Sequence, residues 1–150
     1  TALAVTLAKG YTYCYSVRAR DAVGNIGAWT AETCTSTALD DRSATATGWT
    51  RAASAAYYLG TYTTVATSGR VMSVRASARQ VGLVVTTCST CGTLDVRLAG
   101  AYLGRRSLAS STTRVKQVIW LPLGALRTGT LTLTTVGTKR VHVDGLVLRH

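Results

Sequence analysis

The chain has 150 residues, 47% of them apolar, with one Pro, no Phe, and a Lys+Arg total of 17 against six acidic residues, a formal charge of +11. That length holds one ordinary domain, or a small domain with a further fragment, and excludes an eight-stranded α/β barrel. Its apolar runs are too short for a transmembrane helix, and its regularly spaced Leu, Val and Ile exclude a disordered chain.

The charge favours anionic partners such as acidic polysaccharide or a cell-wall polymer. Because the basic residues are dispersed, it equally fits a soluble secreted protein of Arg-rich composition. No signal-peptide pattern precedes Thr1. The expectation is a processed chain or part of a longer one.

Helical periodicity is nearly absent, and Val/Thr/Tyr-rich alternation bounded by Gly, Ser, Asn and Asp predicts strands throughout. In chain order these are 2–8, 11–20, 28–35, 46–52, 60–66, 70–76, 80–87, 93–99, 102–108, 114–121, 129–136 and 140–148. Segment 52–58 is ambiguous and could hold a helical turn. Many short strands at this spacing indicate a sandwich. Alternation places Leu94, Val96 and Leu98 on one face, and does the same for Leu131 with Leu133 and for Val141 with Val143. Segment 81–85 is apolar on both faces apart from Gly82, as a central buried strand should be. Val115, Ile119 and Leu121 share a face opposite Lys116, Val118 and Trp120. Pro122 is expected to end that strand.

Cys14, Cys34, Cys88 and Cys91 are an even count in a small β-rich chain, which suggests two disulfides and an oxidising compartment. A zinc site would need a second Cys-x-x-Cys pair, and a redox Cys-x-x-Cys would sit at a helix start. Cys88-Ser-Thr-Cys91-Gly92 instead follows a β-like run and reads as a clipped turn. If Cys14 faces Cys34 across an antiparallel hairpin, Tyr15 faces Thr33, Val17 faces Ala31 and Ala19 faces Trp29. Trp29 then shares the apolar face, and the cysteines lie on the other. The bridge would close a loop of about twenty residues, worth on the order of 3 kcal/mol.

The run from Leu7 through Tyr13, Tyr15, Val17 and Ala19 to Asp21 and Asn25 resembles the last strands of a fibronectin type III domain. The resemblance implies a structural role for Tyr13, its hydroxyl bonding backbone near Leu7, and for Trp29 at the start of the closing strand. It also likens the Cys14/Cys34 pair to a variant of secreted actinobacterial proteins. That family needs about seven strands, and residues 1–37 supply about three. Such a sheet is marginal alone and would expose Leu3, Val5, Leu7, Tyr13, Tyr15, Val17 and Trp29. The expectation is upstream domains of the same polypeptide, or another protein chain, against this apolar face.

Residues 38–150 resemble the carbohydrate-binding-type jelly roll of secreted actinobacterial proteins. The resemblance rests on Gly48-Trp49, Tyr57-Tyr58, Gly60-Thr61-Tyr62, the central Cys88/Cys91 pair and the terminal Asp144-Gly145 strand. It implies aromatic platforms for sugar C–H faces, with polar groups at the rim. The candidate ligand-binding residues are Trp49, Tyr57, Tyr58, Tyr62 and Trp120. For each the competing role is packing, which is favoured for Trp49. Asp40 and Asp41 are weak calcium candidates, with a solvated linker as the alternative.

His142 and Asp144 could be assembled with a Ser into a triad on paper, but no Gly-x-Ser-x-Gly elbow accompanies them. Neither a phosphate loop nor a metalloprotease helix is present, and nothing resembles a sequence-reading nucleic-acid motif. The reading is an all-β protein, with no catalysis and no membrane insertion. A partial fibronectin type III sheet (1–37) precedes an antiparallel jelly-roll β-sandwich (38–150). Its expected role is that of a non-catalytic accessory module of a secreted or cell-surface protein, binding polysaccharide or anionic cell-wall polymer. The alternative is a structural, adhesion or assembly module with no glycan ligand.

Overall fold

A computed structural model of the chain describes residues 4–150. Leu3, expected on the exposed apolar face, lies outside the described residues. The eleven strands among the described residues are β1 (Thr12–Tyr15), β2 (Thr33–Ser36), β3 (Ala38–Asp40), β4 (Thr45–Ala46), β5 (Thr50–Ala53), β6 (Thr61–Val65), β7 (Val71–Thr87), β8 (Thr93–Leu98), β9 (Ala101–Ser107), β10 (Arg114–Val136) and β11 (Val141–Arg149). All their pairings are antiparallel.

The frame is the pairing of β7 with β10 along nearly their whole lengths. The second half of β7 pairs with the first half of β10 and with β11, and β6 and β5 extend that layer. The first half of β7 pairs with the second half of β10 and with β4, and β8 and β9 extend the other layer. The two layers make a β-sandwich whose facing side chains form one core. Leu83, Val85, Leu94, Val96, Leu98, Leu131, Leu133, Val141 and Val143 are buried there, as alternation predicts.

The expectation of separate strands at 70–76 and 80–87, and at 114–121 and 129–136, is corrected by this pairing. Each pair is a single bent strand. In β7 the inward positions are Ala76 and Ala78, then Val81 and Leu83, so the inward parity switches at residues 79–80. In β10 the register shifts between Pro122 and Arg127. Extra residues on one strand of a pair turn it and change which face it presents, which carries both strands from one layer into the other. Pro122 therefore does not end its strand. It pairs opposite Gln80 at the corner, solvent-exposed, where a missing N–H is tolerated.

Other differences are local. Segment 46–52 splits into β4 and β5 around Gly48, whose φ of 75° suits a turn. A 3-10 turn, Tyr58–Gly60, overlaps the ambiguous segment 52–58 only at Tyr58, and residues 52–53 belong to β5. Residues 4–8 are not a strand. The Ala8 N–H donates to the Tyr13 hydroxyl at 2.8 Å, and the Ala8 carbonyl accepts from Thr37 Oγ1 at 2.7 Å, so side chains satisfy that backbone.

β1 and β2 form their own two-stranded sheet in the expected register, with Cys14 opposite Cys34 and Tyr15 opposite Thr33. The two cysteines are disulfide-bonded, as are Cys88 and Cys91. Beyond Tyr15 the register slips. The Val17 carbonyl accepts from Thr30 N and the Ala19 carbonyl from Gly27 N, so Val17 does not face Ala31 and Ala19 does not face Trp29. The slip moves Trp29 off the apolar face, and its ring stacks under the Arg18 guanidinium at 4.6 Å. The hairpin meets the sandwich through Thr12 Oγ1, which donates to the Leu148 carbonyl of β11.

β11 is packed so closely on β3 that a Cβ at Gly145 would lie 2.5 Å from the Leu39 carbonyl oxygen. Gly145→Ala must push the two strands apart. It is expected to destabilise the protein by about 1–3 kcal/mol, read as a lower urea midpoint at unchanged m-value.

Candidate functional site

The layer β5-β6-β11-β7-β10 has one face in the core and one directed outward. Val141 and Val143 point inward, so His142 and its partner Thr64 point outward, together with Tyr62 two residues earlier in β6. By the same alternation Gly82, Val84 and Thr86 of β7, Val118 and Trp120 of β10, and Val147 and Arg149 of β11 share that face.

Aromatic groups occupy both ends of it. At one end the rings of Tyr57 and Tyr62 stack at 4.0 Å and 19°, and Tyr62 sits 5.3 Å from the His142 ring. Thr86 Oγ1 donates to the Tyr57 hydroxyl at 3.4 Å. At the other end Trp120 lies opposite Gly82, where a Cβ would stand 2.8 Å from its Cζ3 atom. The missing side chain lets the indole settle onto the sheet. The Arg149 guanidinium stacks on the ring at 4.3 Å. From Thr86 to Gly82 is four residues of strand, about 13 Å. Between the ends the surface is aliphatic, with Val84 buried and Val118 exposed.

The Tyr57 end is held by buried carboxylates. Asp144 is the extra residue of a bulge in β11, between Val143 and Gly145, and is 0% exposed. Its Oδ1 accepts from the Tyr58 backbone N–H at 2.8 Å, while Oδ2 has no protein partner. Burial pushes its pKa up to about 6, the Tyr58 hydrogen bond and Lys116 oppose that rise, and Asp41 and Asp40 reinforce it. Asp41 is likewise buried, its two oxygens taken by the Thr61 and Thr63 hydroxyls at 2.9 and 2.5 Å. Burial raises the pKa of Asp40, but hydrogen bonds from Arg42 and the charges of Arg42 and Lys9 outweigh it and hold the carboxyl below its ordinary value. Burial, aided by the charge of Arg140, lowers the pKa of His142.

Of the residues singled out in sequence, Tyr57, Tyr62 and Trp120 are brought to one face. Trp49 packs against the core, with its indole N–H buried. Tyr58 is committed to structure, since its hydroxyl donates to the Ala38 carbonyl and its N–H to Asp144. Each carboxylate oxygen of Asp40 and Asp41 accepts a hydrogen bond from the protein. Sequence reasoning missed Arg149, Gly82 and Thr86. The glycine inside an apolar strand was the available signal for a ring lying on the sheet.

No protein-family model matches the chain, and no curated protein matches it. Solved structures do. CsCBM6-3 from Clostridium stercorarium in complex with cellobiose is 14% identical, with a TM-score of 0.55, over 75% of this chain and 92% of that one. The CBM36-1 domain of a multidomain xylanase, from the hindgut metagenome of Trinervitermes trinervoides, is also 14% identical, with a TM-score of 0.55, over 77% of this chain and 98% of that one. An exo-beta-1,3-galactanase from Phanerochaete chrysosporium is 11% identical, with a TM-score of 0.56, over 77% of this chain. The present chain spans only 30% of that enzyme and nearly all of the two modules. These likenesses establish the jelly-roll fold of carbohydrate-binding modules.

Asp144 is destabilising when charged. A carboxyl whose folded pKa is raised contributes stability that is complete below its unfolded value and is lost as pH rises through the folded one. The protein should therefore lose stability between pH 4 and pH 7 through this group. Asp144→Asn keeps an acceptor for Tyr58 N–H and removes the charge. Its advantage should be near zero at pH 4 and reach about 2–3 kcal/mol above pH 7, measured by urea unfolding across that range.

Proposed function

We propose that the chain is a non-catalytic accessory module of a larger secreted protein, and that it binds polysaccharide on the outward face of the β5-β6-β11-β7-β10 layer. The observation that carries this reading is the placing of the Tyr57/Tyr62 stack and Trp120 on one outward face, with hydroxyl, imidazole and guanidinium groups around them. Ring faces meet the C–H faces of sugars, and the polar rim meets their hydroxyls. The shared fold adds support, since one of the similar modules was solved with cellobiose.

Several features agree with that role. The two disulfides fit an oxidising compartment, and no helix among the described residues is long and apolar enough to cross a membrane. Residues 4–37 carry one short sheet with exposed Val5, Tyr15 and Val17. In this reading they are the end of a fibronectin type III-like unit, completed by upstream strands, and 38–150 is the binding domain. The Tyr13 hydroxyl, bonded to Ala8 N–H five residues upstream, supports that assignment. His142 and Asp144 serve the packing of the Tyr57–Tyr62 segment, and this reading assigns the module no reaction of its own.

The test is retention of the full chain on insoluble neutral polysaccharides, in low and high salt. Binding through ring stacking survives high salt. It should fall by about tenfold or more in Trp120→Ala and in Tyr62→Ala, on the scale of a lost stacking contact. No retention on any neutral polymer, or retention indifferent to both substitutions, sinks this reading in favour of a spacer or assembly module.

A further inference from the structure

A second surface stands apart from the aromatic face. Where the β1–β2 hairpin meets the sandwich there is a cleft of about 390 Å³, open to solvent. Its floor is apolar, formed by Leu39, Ala76 and Leu148. Its rim carries two cations, Lys9 from the segment before β1 and Arg75 from β7, with the hydroxyls of Ser77 and Thr128. Ser77 and Thr128 face each other across the β7–β10 pair and are hydrogen-bonded at 2.8 Å, which fixes both hydroxyls in place.

Of the Asp, Glu, Lys and Arg side chains, those lining this cleft are of one sign, and His150 lines it as well. Among the described residues no Asp or Glu lines it. The two ion pairs among the described residues use Arg42 with Asp40 and Arg105 with Asp95, so Arg75 and Lys9 are engaged in neither. The acid that feels Lys9 is Asp40, and its carboxylate is already taken by Arg42. Beyond the cleft the outward face of the second layer is mixed in charge, with Asp95 accepting from the Tyr102 hydroxyl and from Arg105. Arg75 pairs opposite Thr130, Thr132 opposite Arg97, and Arg97 lies over the exposed Tyr102 ring.

An apolar floor under a rim of cations and hydroxyls is the complement of a sugar ring that carries an anionic group. The ring's C–H face lies on the leucines, its hydroxyls meet Ser77 and Thr128, and its carboxylate or sulfate bridges Lys9 and Arg75. We infer that the cleft between the hairpin and the sandwich is a binding site for acidic polysaccharide. The site draws on none of Tyr57, Tyr62 and Trp120, and stands or falls separately from the aromatic face.

The test uses the full chain and three soluble polymers: polygalacturonate for carboxylate, dextran sulfate for sulfate, and unmodified dextran as the neutral reference. Affinity is read by electrophoresis through gels containing each polymer. The expected result is retardation by at least one polyanion and none by dextran. The polyanion that retards says which anionic group is taken. Lys9→Ala/Arg75→Ala should weaken that binding by about tenfold or more, the scale of lost charge-assisted contacts. Arg20→Ala/Arg114→Ala removes the same charge from elsewhere and should stay close to the parent. Both cleft residues lie on the rim, and an unchanged circular dichroism melt verifies the fold. No retardation by either polyanion overturns the inference. Equal losses in the two double variants assign the effect to net charge and overturn it as well. Loss in Trp120→Ala moves the ligand to the aromatic face, which also overturns it.

Discussion

The pairing of β7 with β10 is the constraint on which the rest of the molecule depends. Each strand runs through both layers of the sandwich, and each turns at the same corner, where inward parity switches in β7 and register shifts in β10. Antiparallel strands so joined can bury an apolar set on both sides of the corner only if both change face together. They do, and Ala78, Val81, Leu121 and Leu131 enter one core. The short strands then add to edges this pair supplies, β11 and β6 to one layer and β8 and β9 to the other.

The core includes unusual polar burial at one edge. Asp41 is held by two threonine hydroxyls, and Asp144 by a backbone N–H from the Tyr57–Tyr62 segment. Buried carboxylates cost stability unless they are hydrogen-bonded, and Asp144 is bonded through one oxygen only. The same contact ties the segment carrying Tyr57 to the bulge of β11 and so holds the tyrosine stack against the outward face. Where a loop must present rings in a set position, a small number of fixed anchors serves better than general packing.

The two outward surfaces differ in the forces they offer. The aromatic face works by contact area and ring stacking, which salt barely weakens. The hairpin cleft works by charge, which salt screens. The +11 charge of the chain is uninformative until the acids are located. Asp40 and Asp95 neutralise particular arginines, and the remaining acids are few, so among the described residues Lys9 and Arg75 line the cleft with no Asp or Glu beside them.

Neighbouring residues were enough to establish the all-β class, the inward faces of β8, β10 and β11, and the centrality of residues 81–85, while the register of Cys14 opposite Cys34 was a supposition that the structure bears out. These follow from period-two alternation and turn chemistry, which are local properties of the chain. The remainder came from contacts between distant segments. Four expected strands fused into two, because Pro122 and Gly124 read locally as a strand end while the pairing with β7 resumes at Arg127. The hairpin slipped beyond Tyr15 and Trp29 moved beneath Arg18, because register past an irregularity depends on which backbone groups find partners. Trp49 and Tyr58 parted from Tyr57, Tyr62 and Trp120, because burial depends on what another strand places opposite. Lys9 and Arg75 came to line one cleft and Gly82 met Trp120, pairs far apart in the chain, whose placing is set by tertiary contacts and by no local pattern.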